Sequence, residues 1–349
     1  MRRTGCGATE REQAEIALAK YLAQKYQAKT SEKNASLISL QDVLLVYSNE
    51  HCPTLTAPES TGYAIDVLAR WWARKRLAEI NKNSCREYLA HRVKSVKPGT
   101  VRRELAVLNA AVQYWHETYG PLNAVPIVTL PPAANPRERW LTRSEAARLL
   151  GAALGFYRTS DGELKRAVHR INRHLARMIL LGLYTGSRRG VLLSVGWDRS
   201  CGAGFIDFDR GVMHRRAEDA IETKKRKPPV KLGRKILAHL RRWYLKDMRA
   251  LADLRRATGG KPVRAFQTVV ALDGQSLSSI RTSWESARSL AGLDKKVTPH
   301  TLRHTRATWM MRNGVDMWEA AGALGMTVKT LEDVYGHHHS DFQANAAEV

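Results

Sequence analysis

One short stretch of the sequence brings three side chains capable of chemistry into a single helical turn. His300, Arg303 and His304 follow a proline in the sequence Pro-His-Thr-Leu-Arg-His. Their spacing predicts a short helix with His300 and Arg303 on one face. Two imidazoles and a guanidinium are poor material for a hydrophobic core. The pattern therefore favours a site that handles charge and protons over a packing role.

Three weaker signals lie elsewhere in the chain. Arg188 ends the sequence Thr-Gly-Ser-Arg, which alone is an ordinary helix end with a glycine cap. The basic run at residues 223–227 alone is an ordinary solvated loop or a non-specific DNA contact. Tyr335 precedes three histidines, at 337–339, whose adjacent side chains point apart in an extended segment and cannot all reach one ion. The sequence therefore predicts no metal site.

These residue types suit attack on a phosphodiester. A guanidinium is a planar, permanently charged fork of donors, so Arg188 and Arg303 match the charge that builds on non-bridging phosphate oxygens. A tyrosine hydroxyl has a normal pKa of about 10 and needs a cationic site to attack near neutral pH. We therefore expect both arginines to hold a phosphate and to favour the phenolate of Tyr335.

The composition points to a polyanionic partner. The 349 residues carry 57 Lys and Arg against 33 Asp and Glu, a formal net charge of +24. Such an excess indicates nucleic acid first and a membrane surface second. The longest apolar stretch, Met178 to Tyr184, is far shorter than the roughly 20 residues of a spanning helix. The start lacks the apolar middle of a signal peptide, and the four cysteines form no CxxC pair. The sequence thus predicts a cytoplasmic protein with reduced cysteines.

Hydrophobic spacing predicts a helical first half. Residues 1–60 hold an Ala-rich helix over 10–25, whose role stays open. The hydrophobic pattern over residues 61–120 predicts a small, basic helical domain with two amphipathic helices. The first, from Gly62, places Ile65, Leu68 and Trp72 on one face. The second follows Gly99, with Thr100 as its N-cap.

A proline-rich stretch separates this half from a second domain. Five prolines between 121 and 136 interrupt the periodicity and predict a linker over 121–138. Thr142 and Glu145 form a capping box, so the second domain spans 139–349. Residues 204–216 predict a hairpin around a turn at 209–211, a third short strand follows at 228–232, and the pattern is helical from Gln275 onward.

Basic side chains recur every three or four residues along one predicted helix over residues 164–184. Such a stripe fits a phosphate backbone or an ordinary solvated face, and the net charge favours DNA. The predicted DNA contacts are Arg102, Arg103, Arg166, Arg170, Arg173, Arg177, Lys225, Lys227 and His304.

The order Arg188, Lys224, His300-x-x-Arg303 and Tyr335 resembles the tyrosine recombinases, the phage integrase family of site-specific DNA recombinases. The resemblance covers about residues 140–340, and its most specific parts are HTLRHTRAT, the following LG and the YGH after Val334. Residues 62–119 are similar to the family's helical core-binding domain. The resemblance implies a mainly α (α+β) fold: a SAM-like helical domain, and a mostly helical catalytic domain with a small antiparallel sheet, of the DNA breaking-rejoining kind.

The resemblance also implies roles for individual residues. Tyr335 would form a 3′-phosphotyrosyl ester, His300 would act as acid or base, and Lys224, or Lys225 beside it, would protonate the 5′-hydroxyl leaving group. Because the ester conserves the energy of the broken bond, no cofactor or metal is expected. The partners implied are double-stranded DNA attachment sites held in a two-domain clamp, a homotetramer at synapsis that exchanges strands through a Holliday junction, and accessory bending or directionality factors.

Two positions depart from the family pattern. Val191 stands three residues after Arg188, where an acid is usual, and Met326 follows Leu324-Gly325, where His or Trp is usual. Methionine cannot donate a hydrogen bond to a phosphate oxygen. These departures leave open a DNA-binding homologue with weakened catalysis that acts with a partner. A type IB topoisomerase is a further alternative, because it uses the same constellation of residues.

Overall fold

The computed structural model describes residues 33–133, 139–159, 161–167, 171–220, 226–259 and 265–340, together with Gln13, Lys261, Val263 and Phe342. Arg170, Lys224, Lys225 and, apart from Gln13, the helix expected over 10–25 lie outside the described residues. The chain divides into two compact units, residues 1–135 and 136–349. Among the described helices, none combines the length and apolarity that crossing a bilayer requires.

The described part of the first unit is helical. Its α-helices are α1 (Leu40–Val46), α2 (Pro58–Trp72), α3 (Lys82–Arg92) and α4 (Pro98–Thr118), joined by short turns of π and 3₁₀ helix. Helix α4 begins at Pro98, whose fixed φ suits a first helical turn. Thr100, expected as the N-cap, therefore lies inside the helix, and the cap position belongs to Lys97.

The core of the first unit forms between α2 and α4. Ile65, Leu68 and Trp72 of α2 are buried as the spacing predicts, and they pack with the apolar face of α4. Residues 35–52 contribute side chains to this same core, so the packed unit begins well before residue 61. A buried carboxylate, Glu104 on α4, bonds Tyr88 and Arg92 of α3 and joins the two helices.

The second unit is mostly helical with short antiparallel strands. Its helices are α5 (Arg143–Ala153), α6 (Arg173–Thr185), α7 (Arg189–Ser194), α8 (Arg234–Ala257), α9 (Arg281–Leu290), α10 (Thr301–Arg312), α11 (Met317–Leu324) and α12 (Val328–Tyr335). Its strands are β1 (Phe156–Arg158), β2 (Leu164–Arg166), β3 (Ile206–Asp207), β4 (Val212–Met213), β5 (Val230–Lys231), β6 (Ala271–Leu272) and β7 (Gln275–Ser276). The capping box of Thr142 and Glu145 opens α5, as predicted.

The strands pair as small antiparallel sheets. The predicted hairpin is present: β3 pairs with β4, β4 pairs with β5, and the turn lies at residues 208–211. Strands β6 and β7 form a separate hairpin, so Gln275 belongs to a strand and the helical pattern begins only with α9. The fold is therefore mainly α with small antiparallel sheets.

The prediction of a single helix over residues 164–184 is wrong. Residues 164–166 instead pair with β1, and the amide of Ala167 continues the ladder by donating to the carbonyl of Gly155 at 2.8 Å. This local hairpin provides hydrogen-bond partners for backbone amides and carbonyls that a helix would otherwise have paired. Helix α6 therefore begins only at Arg173. Arg166 therefore lies on a strand, away from the face of α6.

Arg177 does not lie on an exposed face of α6. Its guanidinium donates to both oxygens of Asp247 on α8, at 2.7 and 2.8 Å, and to the carbonyl of Val269 at 3.0 Å. A bidentate pair this enclosed fixes two elements together. Arg177 is thus a residue that ties α6 to α8.

Candidate active site

The turn after α6 positions the first candidate arginine. Gly186 ends α6 in the left-handed region with φ of 64°, and a Cβ there would collide with the side chain of Leu324. Only glycine fits both requirements. Thr185 and Ser187 on either side are buried, so the turn is anchored and Arg188 leaves it half-buried at the start of α7.

Arg188 and Arg303 meet at the end of α11. Arg303, only 5% exposed, donates to the carbonyls of Gly186 at 3.0 Å and Leu324 at 2.5 Å. Arg188 donates to the next carbonyl, that of Gly325, at 3.5 Å and to that of Arg226 at 3.0 Å. Two guanidiniums that are 115 residues apart in sequence therefore bind consecutive carbonyls of one turn.

A third arginine, which the sequence analysis did not single out, completes the group. Arg215 is 5% exposed and donates to the Ser187 hydroxyl at 2.8 Å, the Thr185 carbonyl at 2.7 Å and the Pro228 carbonyl at 3.2 Å. It thereby ties the turn before Arg188 to the segment that precedes β5. Its position two residues after the buried Met213 was the available signal, because alternate residues of a strand share a face.

We call Arg188, Arg215 and Arg303 the arginine cluster. No Asp or Glu among the described residues forms an ion pair with any of them; their hydrogen bonds go to carbonyls and one hydroxyl. Burial, with Arg188 adding repulsion, lowers the pKa of Arg303 to about 10. Burial, with Arg303 and then Arg188 adding repulsion, lowers the pKa of Arg215 to about 9. With these pKa values Arg215 and Arg303 stay cationic at neutral pH, and the uncompensated charge of the cluster suits a bound anion.

Tyr335 lies beside this cluster as the last residue of α12. Its side chain is 6% exposed, and burial raises the pKa of the phenol to about 12, while Arg303 acts in the opposite direction. Arg303 thus favours the phenolate, as expected, but in the described structure the loss of hydration outweighs this attraction. The side chain of Tyr335 is therefore a neutral phenol at neutral pH.

Two histidines of the H-x-x-R stretch lie in a row toward this phenol. His300 is exposed at the N-cap of α10, and its ring contacts that of His304 edge-on at 4.7 Å between centroids. Nδ1 of His304 is 2.5 Å from the phenolic oxygen of Tyr335. His304, expected as a DNA contact, therefore bonds the candidate nucleophile directly.

Val191 and Met326, the two departures from the family pattern, have packing roles. Val191 is 6% exposed in the main core of the second unit. Met326 packs against the apolar cluster of α10, α11 and α12 that contains Tyr335. Arg215, through the Thr185 carbonyl and the Ser187 hydroxyl, secures the turn that carries Arg188.

The other sequence-predicted contacts are distributed over both units. Arg102 and Arg103 on α4 bond the Pro131 carbonyl and the Ser60 hydroxyl within the first unit. Arg166, Arg173 and Lys227 are exposed. Arg170, Lys224 and Lys225 lie outside the described residues, so the geometry of the expected lysine is not part of the site described above.

Replacing Arg215 by lysine is expected to destabilise the second unit. The ammonium cannot reproduce three hydrogen bonds from one planar fork, so the buried acceptors at Thr185 and Ser187 and the partly buried carbonyl of Pro228 lose partners. We expect the free energy of unfolding to fall by about 1–3 kcal/mol, measured by urea denaturation. The neighbouring Arg216→Lys is the control and should change it by less than about 0.5 kcal/mol. Equal stability of the two variants would contradict the role of Arg215.

Comparison with known proteins identifies the family. The model of the phage integrase family matches residues 140–341. Over 71 residues the chain is 35% identical to the tyrosine recombinase XerD of Halalkalibacterium halodurans, covering 16% of this chain and 24% of that protein. Over 51 residues it is 41% identical to XerD of Corynebacterium glutamicum, covering 15% of this chain and 17% of that protein. The matches thus span less than a quarter of these relatives.

Solved structures share the fold at low sequence identity. The integrase of transposon Tn1549, in complex with transposon right end DNA, superposes with a TM-score of 0.63 at 14% identity, covering 89% of this chain and 98% of that one. A lambda integrase dimer bound to a COC′ core site superposes with a TM-score of 0.59 at 17% identity, covering 95% and 89%. With a family match over more than half of its length, the chain belongs to the phage integrase family, that of the tyrosine recombinases.

Proposed function

We propose that this protein is a site-specific DNA recombinase that integrates or excises a phage or other mobile element. It would cleave and rejoin double-stranded DNA through a 3′-phosphotyrosyl intermediate. The observation that carries the proposal is the placement of one buried phenol, that of Tyr335, beside buried arginines that have no carboxylate partner in the part of the chain that the structure describes. A phosphate diester supplies the charge that this arrangement lacks.

Each of the proposed active-site residues would have its own role in the reaction. Arg188 and Arg303 would hold the non-bridging oxygens of the scissile phosphate and stabilise the charge that grows there. The oxygen of Tyr335 would attack phosphorus, and the DNA strand would leave through its 5′ oxygen, which takes a proton from Lys224 or, as the alternative, Lys225. His300 would assist as an acid or base at the exposed start of α10. In the return step the freed 5′-hydroxyl attacks the tyrosyl ester, so rejoining would need no added energy source.

The partners in this proposal are DNA and further copies of the chain. The net charge of +24 favours a polyanion, and the structures of similar fold named above contain DNA. We assign core-site binding to the helical unit and catalysis to residues 139–349, with a homotetramer at synapsis and accessory bending or directionality factors. The proposed DNA contacts are Arg102, Arg103, Arg166, Arg170, Arg173, Lys225 and Lys227.

A suicide substrate tests the proposal. A duplex that carries the junction of the mobile element, with a nick placed so that the cleaved fragment diffuses away, should accumulate an adduct stable in SDS. Peptide mapping should place the phosphoryl group on Tyr335. Binding to the junction in a gel shift without any adduct would instead indicate the homologue with weakened catalysis. An adduct on another residue would overturn the assignment.

A plasmid without the junction discriminates the topoisomerase alternative. A type IB topoisomerase relaxes supercoiled DNA of arbitrary sequence, whereas a site-specific recombinase should leave this plasmid supercoiled. Relaxation at a rate comparable to that on a plasmid with the junction would favour the topoisomerase.

A further inference from the structure

The hydrogen bond between Tyr335 and His304 joins the proposed nucleophile to a group that can accept a proton. The phenolic oxygen lies 2.5 Å from Nδ1, and the ring centroids are 5.7 Å apart at an angle of 45°. A general base must lie within hydrogen-bond reach of the proton that it removes. Nδ1 of His304 meets this requirement in the described structure before any substrate is bound.

The packing of α10 against α12 holds this pair in place. Tyr335 belongs to one apolar cluster with Ala307 and Met311 of α10 and with Leu331 of α12. His304 lies one turn before Ala307 on the same helix, and the side chain of Tyr335 is buried. The bond therefore forms between two packed helices, where both side chains have lost much of their freedom.

The state of the phenol explains why a base is required. Burial keeps Tyr335 neutral, with a pKa of about 12, although Arg303 lies close enough to act in the opposite direction. A neutral phenol is a weak nucleophile, and its proton must leave as the bond to phosphorus forms. The arginine cluster stabilises charge but cannot take that proton, because a guanidinium has no acceptor.

We propose that His304 is a catalytic residue that accepts the phenolic proton of Tyr335 as the tyrosine attacks the scissile phosphate. The inference rests on the proposed function and deepens it. It gives His304 a chemical role in place of the DNA contact expected from the sequence. It also separates the two histidines of the H-x-x-R stretch, since His304 lies against the nucleophile and His300 contacts His304 from the exposed start of α10.

Proton transfer to His304 accompanies the exchange of bonds at phosphorus. The phenolic O–H bond breaks and its proton binds Nδ1 of His304, which requires the neutral ring with its proton on Nε2. The oxygen of Tyr335 forms the new bond to phosphorus as the bond from phosphorus to the 5′ oxygen breaks. The leaving oxygen takes its own proton from the lysine. On rejoining, the 5′-hydroxyl attacks phosphorus and gives its proton back to the neutral lysine, while the imidazolium of His304 returns its proton to the departing phenolate.

His304→Asn is the informative variant, because the amide oxygen of asparagine can accept the same hydrogen bond but cannot take the proton. Single-turnover cleavage of the nicked junction duplex should fall by about 10²–10⁴-fold. His239→Asn on α8 is the matched control and should cleave at the wild-type rate, because this histidine is remote in sequence from the site and contacts Arg242 and Trp243 of its own helix. Wild-type cleavage by folded His304→Asn would show that the hydrogen bond alone matters and would overturn the proposal.

A substrate with sulfur in place of the scissile 5′ oxygen separates a base from an acid. A thiolate leaves without protonation, so this substrate should restore cleavage by whichever of Lys224→Ala and Lys225→Ala is defective on the normal substrate. The defect of His304→Asn should persist on it, because the phenol still has to lose its proton. Recovery of His304→Asn to within a few-fold of wild type on the sulfur substrate would assign His304 to leaving-group protonation and overturn the inference.

Imidazole rescue provides a second readout should the asparagine variant fold poorly. In His304→Ala the space left by the ring can admit free imidazole, and added imidazole should raise the cleavage rate at least 10-fold, with no effect on the wild type. A folded His304→Ala protein that imidazole fails to rescue would contradict the proposal. Failure of the wild type itself to form an adduct would instead refute the proposed function, so the two failures are distinguishable.

Discussion

Tyr335→Phe is expected to abolish the covalent adduct with the junction duplex while DNA affinity stays within about 2-fold of wild type. The substitution removes one oxygen and keeps the buried ring. Loss of its hydrogen bond to His304 should cost about 1 kcal/mol of folding free energy, which an otherwise intact domain tolerates. Affinity should persist because it depends on phosphate contacts from many basic side chains. Denaturing gels measure the adduct, and gel shifts at fixed salt measure affinity.

Tyr244→Phe is the control for this variant. Tyr244 is a partly buried tyrosine on α8 that packs against the rings of Trp197 and Phe208. It should form the adduct at the wild-type rate. An adduct with Tyr335→Phe would place the nucleophile elsewhere and remove the basis of the proposed mechanism.

Local patterns allowed much of the fold to be predicted from sequence. The capping box at Thr142 and Glu145 and the buried faces of α2 and α4 depend on residues within a few positions of one another, and the structure has them as predicted. The helix expected over 164–184 failed because pairing with β1 competes with helical periodicity, and no single-segment pattern weighs that competition. The prediction that Arg177 lies on a DNA-binding face was wrong for a related reason, since its partner Asp247 lies 70 residues away in the sequence.

The protonation state of the site was harder to predict from sequence than the residues that form it. The sequence indicated Arg188, Arg303 and Tyr335, and the structure brings them together through the turn at the end of α11. Arg215 was missed because a basic residue just beyond a short predicted strand is usually exposed, and its spacing of two from Met213 was the one local sign that it shares the buried face. The raised pKa of Tyr335 follows from burial, which depends on how α10, α11 and α12 pack. Only coordinates reveal that burial outweighs the nearby cations.

Arg188→Lys is expected to reduce single-turnover cleavage by about 10²–10³-fold, the cost of removing one preorganised donor to a developing oxyanion. Lysine keeps the charge, so DNA affinity should fall by less than about 5-fold. It cannot reproduce the planar fork that reaches the carbonyls of Arg226 and Gly325 and can also bind a phosphate oxygen. The variant should therefore separate DNA binding from cleavage. Its cleavage rate should stay low even when the protein saturates the DNA.

The adjacent Arg189 is a stringent control because it is exposed and begins α7 one residue later. Arg189→Lys should cleave within about 2-fold of wild type, since solvent around its side chain screens its charge. Near-normal cleavage by Arg188→Lys would mean that a point charge suffices at this position, and the phosphate would then have to be held by other donors. Equal losses in both variants would indicate that the start of α7 contributes general electrostatic attraction, with no oriented grip on the scissile group.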